Sequence, residues 1–287
     1  MYIFDLHQDL STVAAATVEF KSKNRYVSYA SKVVFNSFID SVYDSFGAHT
    51  SVSAFFTTRL AQPYSYIKTF IEKYPPTALR RFAIEDLWFV SSEPLLKKVC
   101  ALPIIYASLT WNGANALAGG AGSGEGLSCI GRRTVRALYA SDIALDTAHL
   151  NERSFYDVLD MGECGKILNS HTALNSVFKH DRNLTDKQVR LLLQRGGIVG
   201  LTPVAAFLSE GGNAVIDDYI NLIDTFCQKF GTQGAAIGTD FFGADPLEGL
   251  NTYNDFTKIQ TALQNKGYKA HDINKIFFAN AKTFFES

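Results

Sequence analysis

Eight short apolar runs, separated by segments of helical spacing, constrain this chain more than any other feature. They are YIFDLH (2–7), SVSAFFTT (51–58), RFAIED (81–86), IIYASLT (104–110), IALDTAH (143–149), GKILNSH (165–171), GIVGLTPV (197–204) and GAAIGTD (234–240). Runs of this length, apolar throughout rather than alternating, read as strands buried on both faces. Helix-like segments at 64–74, 93–102 and 214–230 lie between them. Eight strands alternating with helices predict an α/β fold, a (β/α)8 TIM-like barrel. With 287 residues and no linker of low complexity, the expectation is one domain over 1–287.

One unit can be read in detail. In NLTDKQVRLLLQRGGIVGL, Thr185 fits an N-cap with Gln188 at the third helical position, a capping box, and Leu184 and Val189 suit the accompanying hydrophobic staple. The helix should stop at Arg195, with Gly196 supplying a left-handed cap before the next strand. The glycine-dense AGGAGSGEG (118–126) contains neither G-x-G-x-x-G nor a P-loop, so the sequence predicts a mobile loop after the fourth strand rather than a phosphate cradle.

Charge excludes several function classes. A net charge of −1 leaves no basic footprint, which argues against a nucleic-acid partner. No stretch reaches the ~18 uncharged apolar residues of a membrane span, and no basic segment precedes an apolar leader, so a cytoplasmic location is expected. Cys100, Cys129, Cys164 and Cys227 are widely spaced and read as reduced, buried thiols.

What terminates the strands points to chemistry. His7 and Asp9 stand two apart, so at a strand end both face one way. Glu85 closes the third run, His149 the fifth, His171 the sixth and Asp240 the eighth. In a barrel the strand C-termini converge on one face, where catalysis occurs. Imidazole and carboxylate together suit a divalent ion such as zinc, and a carboxylate can bridge two. The pattern predicts a two-metal site: one ion on His7 and Asp9, the other on His149 and His171, Glu85 spanning both. His49, His180 and His271 are read as hydrogen-bonded structural residues.

These residues sit in segments that resemble, in order, those of the membrane (renal) dipeptidase family of metallopeptidases, within the amidohydrolase-type barrels. DLHQDL resembles the family's D-x-H-x-D-L, and AIED its I-E-G. SLTWNGANALAGG is similar to L-T-H-N with its following glycines, LDTAHL to D-L-S-H-V-S, and NSHTAL…RNLTDKQ to S-H-S-x-A…R-N-L-T-D-x-Q. AIGTDFFG is similar to G-x-G-x-D-F-D-G. The resemblance implies hydrolysis of dipeptides with two divalent ions, zinc by family expectation, on His7, Asp9, His149 and His171, bridged by Glu85. It also implies Asp240 as the catalytic aspartate, Arg182 as the receiver of the dipeptide's carboxylate, and a homodimer. Without it, Arg182 in KHDRN reads as a solvated loop cation.

Three positions depart from the family pattern. Trp111 stands where the family histidine contacts the substrate carbonyl, Asp86 replaces a glycine, and Phe242 replaces the second aspartate of D-F-D-G. Trp111 therefore reads as a substrate-contacting apolar wall or as core. The expected reaction is attack by a metal-activated hydroxide on the amide, with Asp240 relaying the proton. Two alternatives stay open at this point: a related amidohydrolase acting on N-acyl amino acids or lactams, and a non-catalytic binding homologue.

Overall fold

The computed structural model describes residues 1–13, 50–245 and 247–287. Eight parallel strands close into a barrel in chain order: β1 (Phe4–Gln8), β2 (Thr50–Phe56), β3 (Arg80–Glu85), β4 (Tyr106–Ser108), β5 (Ala144–Asp146), β6 (Ile167–Thr172), β7 (Ile198–Leu201) and β8 (Ala235–Ile237). All eight predicted runs are strands, though β4, β5 and β8 keep only three residues each. Their C-terminal halves are released as loops, and those loops carry much of the polar chemistry. The predicted helices also form, at Pro63–Lys73, Glu93–Cys100 and Ile216–Phe230.

Two apolar layers hold the barrel. Inside it, Phe4, Leu6, Val52, Ala83, Tyr106, Leu168 and Ile198 form one cluster. Outside it, Ile84, Ala107, Leu145, Val199 and Ile237 face the helices in a second, larger one. The N-terminal opening is stopped by the last helix, Asn280–Glu286, whose Ala281 and Phe284 join the inner cluster. Phe285 stacks on Phe4 at 5.8 Å, continuing that floor. Burying one phenylalanine there contributes about 2–3 kcal/mol.

The seam between first and last strands is reinforced by Asp5. Its carboxylate accepts bonds from the Thr239 amide (2.8 Å), the Thr239 hydroxyl (2.6 Å) and the Tyr253 hydroxyl (2.7 Å). The Asp186–Gln194 helix begins with the predicted Thr185–Gln188 capping box, and Gly196 follows its end at φ +72°.

Three expectations need correction. Cys129 and Cys164 are exposed, so only part of the set is buried, although all four thiols are free. Cys129 opens a surface helix and Cys164 lies in a connecting loop, where neither strand nor helix stripe covers them. The glycine-dense segment is packed, not loose: Gly122 N donates to Asn112 O (2.7 Å), and Ala121 N to His149 O (2.8 Å). Gly120 is required there, because a Cβ on it would lie 2.0 Å from the Trp111 carbonyl oxygen. Arg182 is 6% exposed and bonded into the barrel mouth, unlike a solvated loop cation. His49 lies outside the described residues. His180 accepts from Arg182 N (3.1 Å), in keeping with its structural reading, whereas His271 is a surface residue beside Asp272. No helix among the described residues is long and apolar enough to cross a membrane.

Candidate metal centre

At the C-terminal rim, strand alternation is broken where it matters. Phe4 and Leu6 already point into the barrel, so strict alternation would turn His7 outward. The β1–β2 register slips between Asp5 and Gln8, and the β6–β7 register slips between Asn169 and Thr172. Such irregularities re-aim side chains next to active sites. Here they bring His7 and His171 together, ring centres 4.0 Å apart and planes tilted by 37°. The other two late contributors sit beyond their strands in the left-handed region, His149 at φ +68° and Asp240 at φ +55°.

Six side chains then converge. Nε2 of His7 lies 3.6 Å from Asp9 Oδ2 and 3.9 Å from Asp240 Oδ1. Nε2 of His149 is 2.5 Å from Glu85 Oε1 and 3.0 Å from Nε2 of His171, which is itself 3.8 Å from Glu85 Oε1. The ligand atoms of His7, Glu85 and His171 lie within 4.8 Å of one another, as do those of His7, Asp9 and Asp240. Each imidazole is gripped from behind through Nδ1: His7 by the Tyr106 hydroxyl (3.0 Å), His149 by Asn112 Oδ1 (2.9 Å), His171 by the Ser170 hydroxyl (2.9 Å). The Nε2 atoms are thereby presented forward, and that of His7 is buried facing the Asp9 and Asp240 carboxylates.

Electrostatics describe a site short of positive charge. Burial raises Glu85 and Asp9, and it holds Asp240 well above the usual carboxylate range, with Asp9 and Glu85 pushing it further. Burial alone would lower His7. The hydrogen bond and charge of Asp9, with the charges of Glu85 and Asp240, outweigh it and push His7 up to about 10. Burial, together with the charges of His7 and Arg182, keeps His149 and His171 well below their ordinary value, so both are neutral. Neutral imidazoles with forward lone pairs, beside crowded carboxylates, are the donor set a divalent ion takes. Glu85 Oε1 and the Nε2 atoms of His149 and His171 are three lone-pair atoms in contact, which a shared cation satisfies. The residues fit a metal.

The neighbouring walls are mixed. A cavity of about 180 Å³ runs from Asp9, Glu85, His149 and Asp240 to Trp111, Phe56 and Phe207. A larger cavity of about 360 Å³ shares Arg182 but lies among the loops behind it, away from the converging ligands. Arg182 donates from Nη2 to Nε2 of His171 (2.7 Å), and its guanidinium lies 5.4 Å from the centre of the Phe207 ring.

A family model described as membrane dipeptidase (peptidase family M19) matches residues 84–286, well over half of the chain. The chain belongs to the membrane dipeptidase family. Its barrel superposes on that of a solved metallopeptidase of this family, dipeptidase AC, with a TM-score of 0.78 at 18% identity, covering 100% of this chain and 98% of the other. A metallopeptidase from Rhodobacter sphaeroides, solved with a phosphinate mimic of the dipeptide L-Ala-D-Ala, gives 0.75 at 17% identity, covering 100% and 99%. An uncharacterized protein encoded in the pqqA 5′ region of Klebsiella pneumoniae is 26% identical over 182 residues, 59% of this chain and 67% of that protein. The first curated relatives are covered over 32% to 67% of their length.

The departures from the membrane dipeptidase pattern now have physical settings. Trp111 is 38% exposed and forms cavity wall rather than core, its ring 5.1 Å from Phe56 and 6.1 Å from His149. Asp86 takes the left-handed conformation at φ +71° that a glycine would adopt, which aspartate tolerates better than most residues. It is buried and ties three loops together. Its carboxylate accepts from Thr58 (2.8 Å), Asn115 (2.9 Å) and the Trp88 amide (3.1 Å). Phe242 is buried and joins the outer apolar cluster. Asn112, Tyr106, Ser170 and Asp146 were not singled out from the sequence, although Asn112 follows Trp111 directly and Ser170 precedes His171.

Proposed function

We propose that the chain is a metal-dependent dipeptidase, hydrolysing the amide of a dipeptide at the barrel mouth with two divalent ions, zinc being the family expectation. One observation carries this reading: the Nε2 atoms of three histidines and the carboxylates of Asp9, Glu85 and Asp240 converge on one buried point beside a buried arginine. His7 and Asp9 would hold one ion, His149 and His171 the other, and Glu85 would serve both. What such ions supply when bound is Lewis acidity, polarising a carbonyl and acidifying a water molecule.

The chain's own groups account for the remaining steps. Asp240 sits 3.9 Å from His7 Nε2, and burial favours its protonated form. A raised proton affinity lets the ionised carboxylate take a proton from water and, once protonated, deliver it to the departing amine. Arg182 stays cationic at neutral pH, although burial brings it down to about 10. Its planar fork suits bidentate capture of the dipeptide's terminal carboxylate. Trp111, Phe56 and Phe207 narrow the approach and limit water around the scissile bond. Two ends held in one short cavity favour dipeptides over longer chains.

The test is hydrolysis of a dipeptide panel, set beside N-acyl amino acids, by zinc-loaded protein and by its Asp240→Asn variant. The expected result is dipeptide cleavage by the parent and a loss of about 10²–10⁴ in kcat in the variant with both ions retained. Metal-loaded parent that binds dipeptides and never cleaves them would end this reading.

A further inference from the structure

We propose that Asp146, Ser170 and Tyr106 form a proton-ordering layer beneath the metal ligands, in which they are positioning residues that keep His171 and His7 in the tautomer able to bind an ion. This rests on the metal-site reading above and adds to it groups that touch neither ion nor substrate.

The argument is a count of hydrogens. A hydroxyl has one to give. Tyr106 gives its hydrogen to the Leu6 carbonyl at 2.7 Å, so at 3.0 Å it can only accept from Nδ1–H of His7. Ser170 gives its hydrogen to Asp146 Oδ2 at 2.6 Å, so at 2.9 Å it can only accept from Nδ1–H of His171. A proton fixed on Nδ1 leaves Nε2 as the metal-facing lone pair, in neutral His171 directly and in His7 once an ion displaces its Nε2 proton. The contact from Arg182 Nη2 to His171 Nε2 at 2.7 Å independently requires that Nε2 accepts. The Ser170 hydroxyl also lies 3.4 Å from His7 Nδ1, so it stands behind both imidazoles.

Asp146 decides the direction of the chain of bonds. Its Oδ1 is already filled by two backbone donors, Ala148 N at 3.0 Å and Ser170 N at 2.9 Å. In Asp146→Asn the amide oxygen has to stay on those two donors, which turns the NH2 group towards Ser170. Ser170 then receives a hydrogen instead of giving one, its own hydrogen turns to His171 Nδ1, and the proton of His171 moves to Nε2. A change of one atom, with shape preserved, reverses the relay. The same isosteric logic is known to disable a serine-protease histidine by forcing its wrong tautomer.

The experiment titrates metal-free parent, Asp146→Asn, Ser170→Ala and Tyr106→Phe with Zn2+ against a chromophoric chelator. It is paired with 15N NMR of the histidine rings and with melting of the metal-free forms. The parent should take up two ions. Asp146→Asn and Ser170→Ala should weaken the ion on His171 by about 10–100-fold. In metal-free Asp146→Asn the His171 ring should carry its proton on Nε2. Tyr106→Phe should weaken the His7 ion while leaving the other within twofold. Parent-like affinity for both ions in Asp146→Asn and Tyr106→Phe would overturn the inference while the metal-site reading stands. A parent that binds no zinc would remove both together. If Asp146→Asn does not fold, Tyr106→Phe decides, because its expected loss is confined to one ion.

Discussion

Replacing Gly120 by alanine tests whether the glycine-dense loop is a clamp on the site. A Cβ there would lie 2.0 Å from the Trp111 carbonyl oxygen, 2.5 Å from that of Gly113 and 2.7 Å from the carbonyl carbon of Asn112. Carbon and oxygen need about 3.3 Å, so the two backbone segments must part by more than about 1 Å. No flexible side chain can absorb that displacement. Asn112 travels with the displaced segment, and its 2.9 Å bond to His149 Nδ1 stretches beyond the ~3.5 Å at which a hydrogen bond is lost. Overpacking of this kind costs about 1–3 kcal/mol. At ~3 °C per kcal/mol for a chain of this size, melting should fall by about 3–9 °C. Zinc affinity at the His149 end should drop by about tenfold, the usual scale for an outer hydrogen-bond partner. Gly124→Ala is the matched control, since a Cβ there meets nothing within 4 Å. Thermal melts and chelator competition on both variants decide the matter. The reasoning fails if Gly120→Ala melts and binds zinc like the parent, or if Gly124→Ala is equally damaged.

Other perturbations have defined outcomes. Gly243→Ala would place a Cβ 2.1 Å from Asp9 Oδ2 and 2.2 Å from Asp240 Oδ1; kcat for a dipeptide should fall at least about tenfold by displacement of the proton station, read by steady-state kinetics, and an unchanged kcat counts against it. Trp111→His restores a polar group at the cavity wall. It should raise kcat by about tenfold or more, a modest share of what one oxyanion donor contributes, and a lower kcat would show that the indole itself serves turnover. Asp224 is held below its ordinary value, chiefly by the hydrogen bond from Lys266 at 2.8 Å. A depressed carboxylate contributes stability above its unfolded pKa and loses it as pH falls through the folded one. Denaturant melts of parent and Asp224→Asn should therefore differ by less than about 1 kcal/mol at pH 7, the pair being partly exposed, with the gap closing below pH ~4.

Most of the barrel could be read from the chain because buried parallel strands are apolar on both faces and their helices announce their ends. The Thr185–Gln188 box and Gly196 are local signals, and local signals survive folding. The polar strand ends identified the converging set for the same reason: a barrel gathers one end of every strand. What stayed hidden depends on geometry that residue types do not encode. Two register slips turn His7 and His171 inward, and period-two reasoning has no term for a slip. Asp146 and Ser170 read as ordinary strand polar residues until their separation across β5 and β6 is seen. The loop at 118–126 is packed where mobility is expected because glycine marks close backbone approach as readily as freedom, and sequence alone does not distinguish the two.

The floor of the barrel sets an order of events during synthesis. Phe284 and Phe285, which stop the opening under Phe4 and Tyr106, leave the ribosome about 280 residues after Phe4. Until they emerge, the cylinder lacks its base, and β1, although already able to pair with β2, has no floor on which to settle. A nascent chain must therefore keep its first strand waiting in an unfinished compartment.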